Sequence, residues 1–340
     1  MKKRARLKDI AELTGFSTNT VSLALHHSPL VAAETSAAIW TVARQLKYRP
    51  NQLARSLVNQ QSKTIGLVLT NIQNPILTRA AEAIQKALLG HRYATLFATS
   101  NHSLEQEKLA IETFLGRQVD GLLVYPTHHG EIAHIVEAQE QGTPVVLLSG
   151  GRDASIDAVA IDSRVGAQRA TEHLLSLGHR RIGVIDIAPA LGNFEKQDGY
   201  RDALKAHGIA LDRELIVEAG RTGLGEGYAA AGVLLGLGAP PTAILAANDL
   251  AAIGAIHRLD EMGISVPKDM SVVGFDNIDL AAHVRPPLTT VSYDADLLAS
   301  RAVERLLRLI EADVAVETQH QVEFVEPELI VRNSTARPKG

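Results

Sequence analysis

The chain has 340 residues, of which 46% are hydrophobic, so it holds enough apolar material for more than one buried core. It has no cysteine, which excludes a disulfide framework, a thiolate zinc site and a cysteine nucleophile. The net charge of −4 hides an asymmetry: residues 1–63 carry ten Lys and Arg against three Asp and Glu, whereas residues 64–340 carry twenty-four against thirty-five. This asymmetry indicates that only the first segment meets a polyanion.

The sequence shows neither an export signal nor a membrane segment. Residues 1–6 are basic, like the start of a signal peptide, but Lys8, Asp9 and Glu12 interrupt the stretch where an apolar run is needed. The apolar runs elsewhere fall short of the roughly 20 residues of a membrane helix. We therefore expect a soluble, cytoplasmic protein.

The basic segment has the pattern of a helix, a tight turn and a second helix. Apolar residues recur at helical spacing up to a glycine: Leu7, Ile10, Ala11, Leu13 and Gly15. Gly15 suits a left-handed turn and Ser17 is placed to cap the second helix. A third helix is predicted over residues 33–46. A DNA-binding helix-turn-helix and a plain three-helix bundle both fit this pattern.

The predicted second helix presents short polar side chains that can bond phosphate oxygens or base edges in a major groove, namely Thr18, Asn19, Thr20 and Ser22. A short segment from Tyr48 to Leu57 follows, bracketed by Pro50 and a polar stretch. Leu57 has no obvious core to join. Two such segments in a dimer would insert leucines between base steps of the minor groove; packing on the following domain is the alternative.

Four motifs in this order resemble the lactose/galactose-repressor (LacI/GalR) family of bacterial regulators: residues 7–11 (LKDIA), 20–22 (TVS), 48–51 (YRPN) and 53–57 (LARSL). The resemblance implies that Thr18 and Asn19 read bases and that Leu57 enters the minor groove. It implies further DNA contacts, to phosphate from Ser17, Thr20, Ser22 and Tyr48, and along the hinge from Asn51 and Arg55.

The chain departs from that family pattern at two positions in the head. Many relatives carry an arginine where this chain has Leu23. Arginine bonds guanine in bidentate fashion, whereas leucine offers only apolar contact, for example to a thymine methyl group. We therefore expect a different operator base at that position. Ala32 stands where relatives often have a capping serine, which predicts a weaker start to the third helix.

From residue 64 onward, apolar strand-like runs alternate with helical patterns, and the alternation restarts near residue 181. This pattern predicts parallel sheets with helices on both faces. Two similar lobes are the simplest account. The family resemblance continues here through residues 119–121, 178–182, 247–249, 272–277 and 287–291, and it implies a two-lobed sensor similar to periplasmic sugar-binding proteins.

Ligands of such sheets lie outside the carboxyl ends of the strands. Polar residues at the predicted strand ends are Asn71, Asn74, Thr127, Ser149, Asn248 and Asp276. The same residue types also cap helices and form turns, and only their repetition favours a site. By resemblance, Asp276 accepts hydrogen bonds from an effector with Asn248 beside it and Lys196 opposite, where the family usually has arginine.

The resemblance also assigns Thr222 to the pocket, at a position where several relatives have an aromatic ring that stacks on the ligand. The only tryptophan, Trp40, lies in the basic segment. We therefore expect a polar rather than aromatic pocket. Such a pocket favours a small carbohydrate-like effector, a sugar, polyol or sugar acid, over a nucleobase. No cofactor is expected.

Three other signals are set aside. His128, His129 and His134 have neither cysteines nor an HExxH pattern beside them, so they are interpreted as surface histidines and no metal site is predicted. The glycine-rich residues 223–228 do not form a dinucleotide-binding motif. The sequence contains neither a G-x-S-x-G elbow nor a Walker lysine loop, so an enzyme is not predicted.

The sequence thus predicts a small all-α helix-turn-helix head joined by a hinge helix to a two-lobed α/β, periplasmic-binding-protein-like sensor with parallel sheets. The predicted boundaries are 1–49 for the head, 50–62 for the hinge, 63–335 for the sensor and 336–340 for a tail. Lobe one is predicted to hold residues 63–162 and 292–320, and lobe two residues 163–291 and 321–335.

The predicted function is a transcriptional repressor that binds a pseudo-palindromic DNA operator as a homodimer and is controlled allosterically by a small metabolite. The tail carries no leucine heptads, so a dimer is preferred over a coiled-coil tetramer. The alternative is a ligand-binding protein of periplasmic type without a DNA function. That alternative needs an export signal and has no use for the basic head.

Overall fold

The computed structural model describes residues 5–48, 61–150, 155–187, 191–221, 223–312 and 320–339. The chain divides into two compact units, Met1–Ser62 and Lys63–Gly340, which we call the head and the body. Within the described residues no helix is both long and apolar enough to cross a membrane.

The head is a helix-turn-helix with a third helix, as the sequence predicted. Its helices are α1 (Leu7–Thr14), α2 (Thr18–Leu25) and α3 (Ala33–Gln45). They enclose a small core that includes the fully buried Ile10, Val21 and Ile39. The turn and caps follow the sequence: Gly15 has φ 74°, Ser17 Oγ accepts the Thr20 amide at 3.0 Å, and Ala32 caps α3 without a side-chain bond.

The first lobe of the body is a six-stranded sheet in which every pair of strands is parallel. Its order is β11-β5-β4-β3-β1-β2. The strands are β1 (Thr64–Leu69), β2 (Ala94–Thr99), β3 (Gly121–Val124), β4 (Val145–Leu147), β5 (Ala158–Ile161) and β11 (Val322–Val325). The helices of this lobe are α4 (Pro75–Gly90), α5 (Leu104–Gly116), α6 (Ala133–Glu140) and α11 (Ala295–Glu311).

The second lobe repeats this plan with the order β12-β10-β9-β8-β6-β7, in which only β10 and β12 pair antiparallel. Its strands are β6 (Ile182–Asp186), β7 (Ile216–Glu218), β8 (Ala243–Ala246), β9 (Ser271–Phe275), β10 (Thr289–Ser292) and β12 (Glu328–Ile330). Its helices are α7 (Ser163–Ser176), α8 (Glu195–Ala206), α9 (Leu224–Leu235) and α10 (Asp249–Glu261), with short 3-10 turns at Arg213–Leu215 and Asp279–Ala282.

Both faces of each sheet are covered, which explains why the strands read as continuous apolar runs rather than alternating ones. In lobe one, Leu67 and Leu123 point into the core shared with α4 and α11, while Val68 and Leu122 point into the core on the opposite face. Since successive side chains alternate, a strand buried on both faces must be apolar at every position.

The chain crosses between the lobes three times, after β5, after β10 and after β11. The predicted boundary near residue 320 is wrong by one strand, because β11 (Val322–Val325) pairs in parallel with β5 of lobe one. The chain enters lobe two only at β12. The predicted separate tail is also wrong: the Ala336 amide donates to Ser271 Oγ at 3.0 Å and the buried His179 bonds the Ala336 carbonyl at 2.9 Å.

Candidate functional site

Two regions carry the residues that the sequence singled out. In the head, α2 exposes Thr18 and Asn19, while Ser22 and Leu23 on the same helix are half-buried. The hydroxyls of Ser17 and Thr20 lie 2.8 Å apart at the start of this helix. The fold thus presents the N-terminal residues of the second helix, which in helix-turn-helix proteins contact base edges.

The remaining predicted DNA contacts are not on this helix. Tyr48 follows α3 and packs against the core of the head, with its amide bonded to the Ala43 carbonyl at 2.9 Å. Asn51, Arg55 and Leu57 lie outside the described residues. Their assignment to a hinge that contacts DNA stays a prediction.

In the body, a cavity lies between the carboxyl ends of the strands of the two sheets. Six of the eight predicted effector residues line it: Asn71, Asn74, Ser149, Lys196, Asn248 and Asp276. Ile161, Ser163 and Tyr293, next to two of the crossing segments, also line it. The lining therefore comes from both lobes and from the segments that connect them.

Asp276 is the central acceptor of this cavity. It follows β9 in a left-handed backbone conformation with φ 104°, and its side chain is 9% exposed. Its carboxylate accepts a hydrogen bond from Asn74 of the opposite lobe and faces the ammonium of Lys196. Burial raises the pKa of Asp276 to about 6 against the opposing effect of Lys196 and Asn74.

Lys196 is held in place by groups of its own lobe. Its Nζ donates to the carbonyl of Ala247 at 2.5 Å and lies 3.9 Å from the centre of the Phe275 ring. A cation over an aromatic face is stabilised by the ring quadrupole. The ammonium therefore offers a localised charge beside Asp276 rather than the planar fork of an arginine.

Asn248 joins the cavity to the helix behind it. Its Oδ1 caps α10 by accepting the Ala251 amide at 2.8 Å, while its Nδ2 is buried without a hydrogen-bond partner among the described residues. A buried amide donor without a partner costs free energy. A ligand oxygen at this point in the cavity would supply the missing acceptor.

A second carboxylate, Asp249, lies behind Asp276 and is fully buried. It accepts hydrogen bonds from the Thr290 hydroxyl at 2.5 Å and the Ile278 amide at 2.8 Å. Burial first and the charge of Asp276 second raise the pKa of Asp249 to about 7. Asp249 thus fixes the loop after β9 that carries Asp276.

Thr127 does not reach the cavity, contrary to the prediction from its place at a strand end. Its hydroxyl donates to Ser100 at 2.6 Å, and its amide donates to the fully buried carboxylate of Glu107 at 2.5 Å. Glu107 also bonds His134 Nε2 at 2.9 Å. These bonds turn Thr127 into the interior of lobe one. Thr222 lies outside the described residues.

The pocket has aromatic rings that the sequence did not predict, so the expected lack of a ring for a ligand to stack on is wrong. Tyr125, Phe275 and Tyr293 line the cavity, and Tyr125 bonds Ser149. Burial raises the pKa of Tyr125 to about 12 and that of Tyr293 well above 10, so both hydroxyls stay protonated donors. Tyr125 directly follows β3, so the strand-end rule that found Asn71 would have found it.

The interpretation of the histidines as surface residues is also wrong for two of them. His129 lines the cavity, and both of its ring nitrogens are buried without a partner among the described residues. Burial lowers its pKa to about 4. The side chain of His134 is 12% exposed and pairs with Glu107. His102, which bonds Asn71 at 3.0 Å, and Asp186 also line the cavity and were missed.

Comparison with known proteins assigns both regions to families. Residues 6–51 match the model of the bacterial regulatory proteins, lacI family, and residues 171–335 match a periplasmic binding protein-like domain. The chain is 33% identical over 338 residues to the HTH-type transcriptional repressor PurR of Edwardsiella ictaluri, covering 98% of this chain and 97% of that one. It is 32% identical over 335 residues to PurR of Actinobacillus pleuropneumoniae, covering 97% and 98%.

Solved structures with the same architecture include the lac repressor dimer bound to operator and the anti-inducer ONPF, with a TM-score of 0.88 at 26% identity over 98% of this chain and all of that one. The CelR–cellobiose complex has a TM-score of 0.72 at 28% identity over 97% of this chain and all of that one. The fold and site therefore define a DNA-binding transcriptional repressor with an effector-binding domain. The chain belongs to the lacI family of bacterial regulatory proteins.

Because the pKa of the buried Asp249 is raised, we expect the free energy of unfolding to fall as pH rises. Its folded pKa of about 7 exceeds the ordinary 3.8, so between about pH 4 and pH 7 the folded protein holds a proton that the unfolded chain has released. Asp249→Asn removes the buried charge and keeps an acceptor for the Ile278 amide. We expect urea unfolding to show a gain of about 2–4 kcal/mol over the parent at pH 8 that shrinks towards zero by pH 4.

The exposed Asp279→Asn in the same loop is the matched control, since it removes a solvated carboxylate. It should leave the pH dependence of unfolding unchanged. If Asp249→Asn raised the free energy of unfolding by the same amount at about pH 8 and about pH 4, protonation of Asp249 would not be the cause of the gain.

Proposed function

We propose that the chain represses transcription as a homodimer that binds a pseudo-palindromic operator, and that a small polar metabolite in the cavity between the lobes controls this binding. The observation that carries the proposal is the convergence of Asp276, Asn248 and Lys196 on one cavity in a chain that also presents a recognition helix. A repressor acts on chromosomal DNA, so the protein works in the cytoplasm.

On the DNA, Thr18 and Asn19 read base edges and Leu23 contributes an apolar contact. Ser17, Thr20, Ser22 and Tyr48 bond phosphates, and the hinge residues Asn51, Arg55 and Leu57 enter or flank the minor groove. The exposure of Thr18 and Asn19 and the basic charge of the head support this assignment. Phosphate contacts position the helix, whereas base contacts give specificity.

Dimerisation follows the lac repressor, whose dimer is bound to an operator. The body has apolar side chains that a second copy would cover. On lobe one, Phe97 on the edge strand β2 is 45% exposed and Ile72 is 56% exposed. On lobe two, Val233 and Leu280 are 57% and 47% exposed. A homodimer has two heads, one for each half-site of the operator.

The effector is a small metabolite with several hydroxyl groups, a sugar, polyol or sugar acid. Asp276 accepts from hydroxyl donors, while Asn248 Nδ2 and the tyrosine hydroxyls donate. Bound cellobiose in the CelR structure supports this class, as does bound ribose in a LacI family transcriptional regulator from Enterococcus faecium, a structure with a TM-score of 0.70 at 27% identity. The rings of Tyr125 and Tyr293 make a planar heterocycle the second candidate, because such ligands pack against aromatic side chains.

The cavity is a binding site rather than a catalytic one. Asp276, the carboxylate that lines the cavity, accepts a hydrogen bond from Asn74 and faces Lys196, which suits recognition of hydroxyl groups. Effector binding changes the angle between the lobes and thereby the spacing of the hinges. A coupling of about 1–3 kcal/mol changes operator affinity roughly 5- to 150-fold.

The effector site is tested by Asp276→Asn. The asparagine amide has the shape of the carboxylate, but it is uncharged and also donates hydrogen bonds. We therefore expect effector affinity to fall about 10- to 100-fold, as for loss of a charge-assisted bond. The measurement is thermal unfolding of the full-length parent and variant in the presence of each compound from a panel of sugars, polyols, sugar acids and nucleobases. A compound at 100 times its Kd stabilises the parent by about 2.7 kcal/mol.

Asp296→Asn, at an exposed position in the first turn of α11, is the matched control and should respond like the parent. Equal stabilisation of the parent and Asp276→Asn by the same compound would remove Asp276 from the effector site. Operator binding in the absence of effector should be similar in the parent and in Asp296→Asn.

The role of Leu23 is tested by Leu23→Arg. A half-buried leucine on α2 offers only apolar contact, whereas arginine bonds guanine in bidentate fashion, a discrimination worth about 1–3 kcal/mol. The variant should therefore prefer guanine at one position of each half-site by about 5- to 150-fold, measured by competition among duplexes that differ at single base pairs. Leu30→Arg, at a position 83% exposed, adds the same charge and should tighten binding without changing base preference.

A further inference from the structure

Two loops from opposite lobes meet beside the cavity. One follows β3 of lobe one and carries His128 and His129; the other follows β6 of lobe two and carries Leu191 and Gly192. The amide of His129 donates to the carbonyl of Leu191 at 2.8 Å, so a backbone hydrogen bond joins the lobes. We call these four residues the cleft latch.

The latch is closely packed because Gly192 has no side chain. Gly192 has φ +62°, and a Cβ there would lie 2.5 Å from Cε1 and 2.9 Å from Nε2 of His128. The ring of His128 is held from the other side, since its Nδ1 accepts the Gly130 amide at 3.2 Å and lies 3.8 Å from the Glu131 carboxylate. Any added methyl group must push the two loops apart or break these contacts.

His129 connects the latch to the cavity. Its backbone forms the bond between the lobes, while its ring lines the cavity with both nitrogens buried and without a partner among the described residues. The ring meets Tyr125 edge-on, with 6.3 Å between the centroids. Burial lowers its pKa to about 4, so at neutral pH the ring presents one N–H donor and one lone pair to a ligand.

A second polar contact between the lobes, from Asn74 to Asp276, uses the carboxylate that the effector is proposed to need. A ligand that binds Asp276 competes with that contact. The latch bond joins two main-chain groups, so a ligand that binds Asp276 does not compete for it. It is therefore suited to hold the lobes together around a ligand.

We propose that the cleft latch sets the angle between the lobes and that His129 is an effector-contacting residue, bonding a neutral hydroxyl or ring nitrogen of the ligand and so joining ligand recognition to lobe closure. This proposal rests on the effector-controlled function proposed above. It adds the residues that transmit the signal. A ligand bond to the His129 ring restrains the same residue whose amide holds lobe two.

The first test uses hydrogen exchange of the full chain without any ligand, followed in peptides that contain His129. Gly192→Ala should speed exchange of the His129 amide at least tenfold, because the methyl group meets the His128 ring. Gly208→Ala is the matched control: it has a similar φ of +67° but open space around its Cβ, so exchange at His129 should not change. The double variant His128→Ala/Gly192→Ala makes room for the methyl group and should restore most of the protection.

Equal exchange at His129 in Gly192→Ala and Gly208→Ala would overturn the latch, as would a double variant that stays as unprotected as Gly192→Ala. Operator affinity gives the second readout: Gly192→Ala should change it at least threefold and the other two variants should not. An unchanged affinity despite faster exchange would overturn the regulatory role. Because exchange is measured without ligand or DNA, failure of the repressor function itself gives a different result, namely loss of operator binding by the parent.

Discussion

The contacts of the buried Asp276 carboxylate with Asn74 and Lys196 are the interactions on which the cavity between the lobes depends. Asp276 lies at the end of β9 in a left-handed conformation, between a lysine of its own lobe and an asparagine of the other. Keeping a carboxylate out of water is costly unless donors surround it. Lys196, which packs on Phe275, and Asn74 stabilise the charge of Asp276, whereas the neighbouring Asp249 accepts the Ile278 amide and so holds the following loop. An effector that replaces Asn74 as a donor changes the balance between the two lobes.

The head and the body carry opposite net charges, which separates the proposed DNA-binding unit from the proposed effector-binding unit. The head is basic and folds around its own small core, whereas the body is acidic and has its own sheets. Under the proposed function, operator contacts lie in the head and effector contacts lie in the body. The effector signal then acts on the angle between the lobes, which the cleft latch and the contact between Asp276 and Asn74 join.

The architecture and most of the effector site follow from local sequence signals. Polar residues directly after buried strands, such as Asn71 and Asp276, reach the cavity because parallel strands end at one edge of a sheet. Thr127 also follows a buried strand but does not reach the cavity. Its amide donates to the buried Glu107 carboxylate and its hydroxyl donates to Ser100. Such a choice between two partners depends on residues twenty or more positions away, which periodicity does not record.

Two of the residues that sequence reasoning missed depend on long-range contacts of this kind. His129 lies in a loop whose position is set by Leu191 of the other lobe, and Tyr293 lies on a crossing segment. Neither is marked by spacing. The end of lobe one was placed too early because β11 pairs with β5 across more than 150 residues of sequence. Long-range pairing of this kind is decided by tertiary packing.

The most direct measurement is selection of bound duplexes from a random DNA pool by the full chain, beside a Thr18→Ala/Asn19→Ala variant with the same body. We expect the parent to enrich one site with two-fold symmetry and the variant to lose this enrichment while its fold is kept. Enrichment of an unsymmetrical site, equal enrichment by both proteins, or none by the parent would contradict a dimeric repressor that reads its operator through α2.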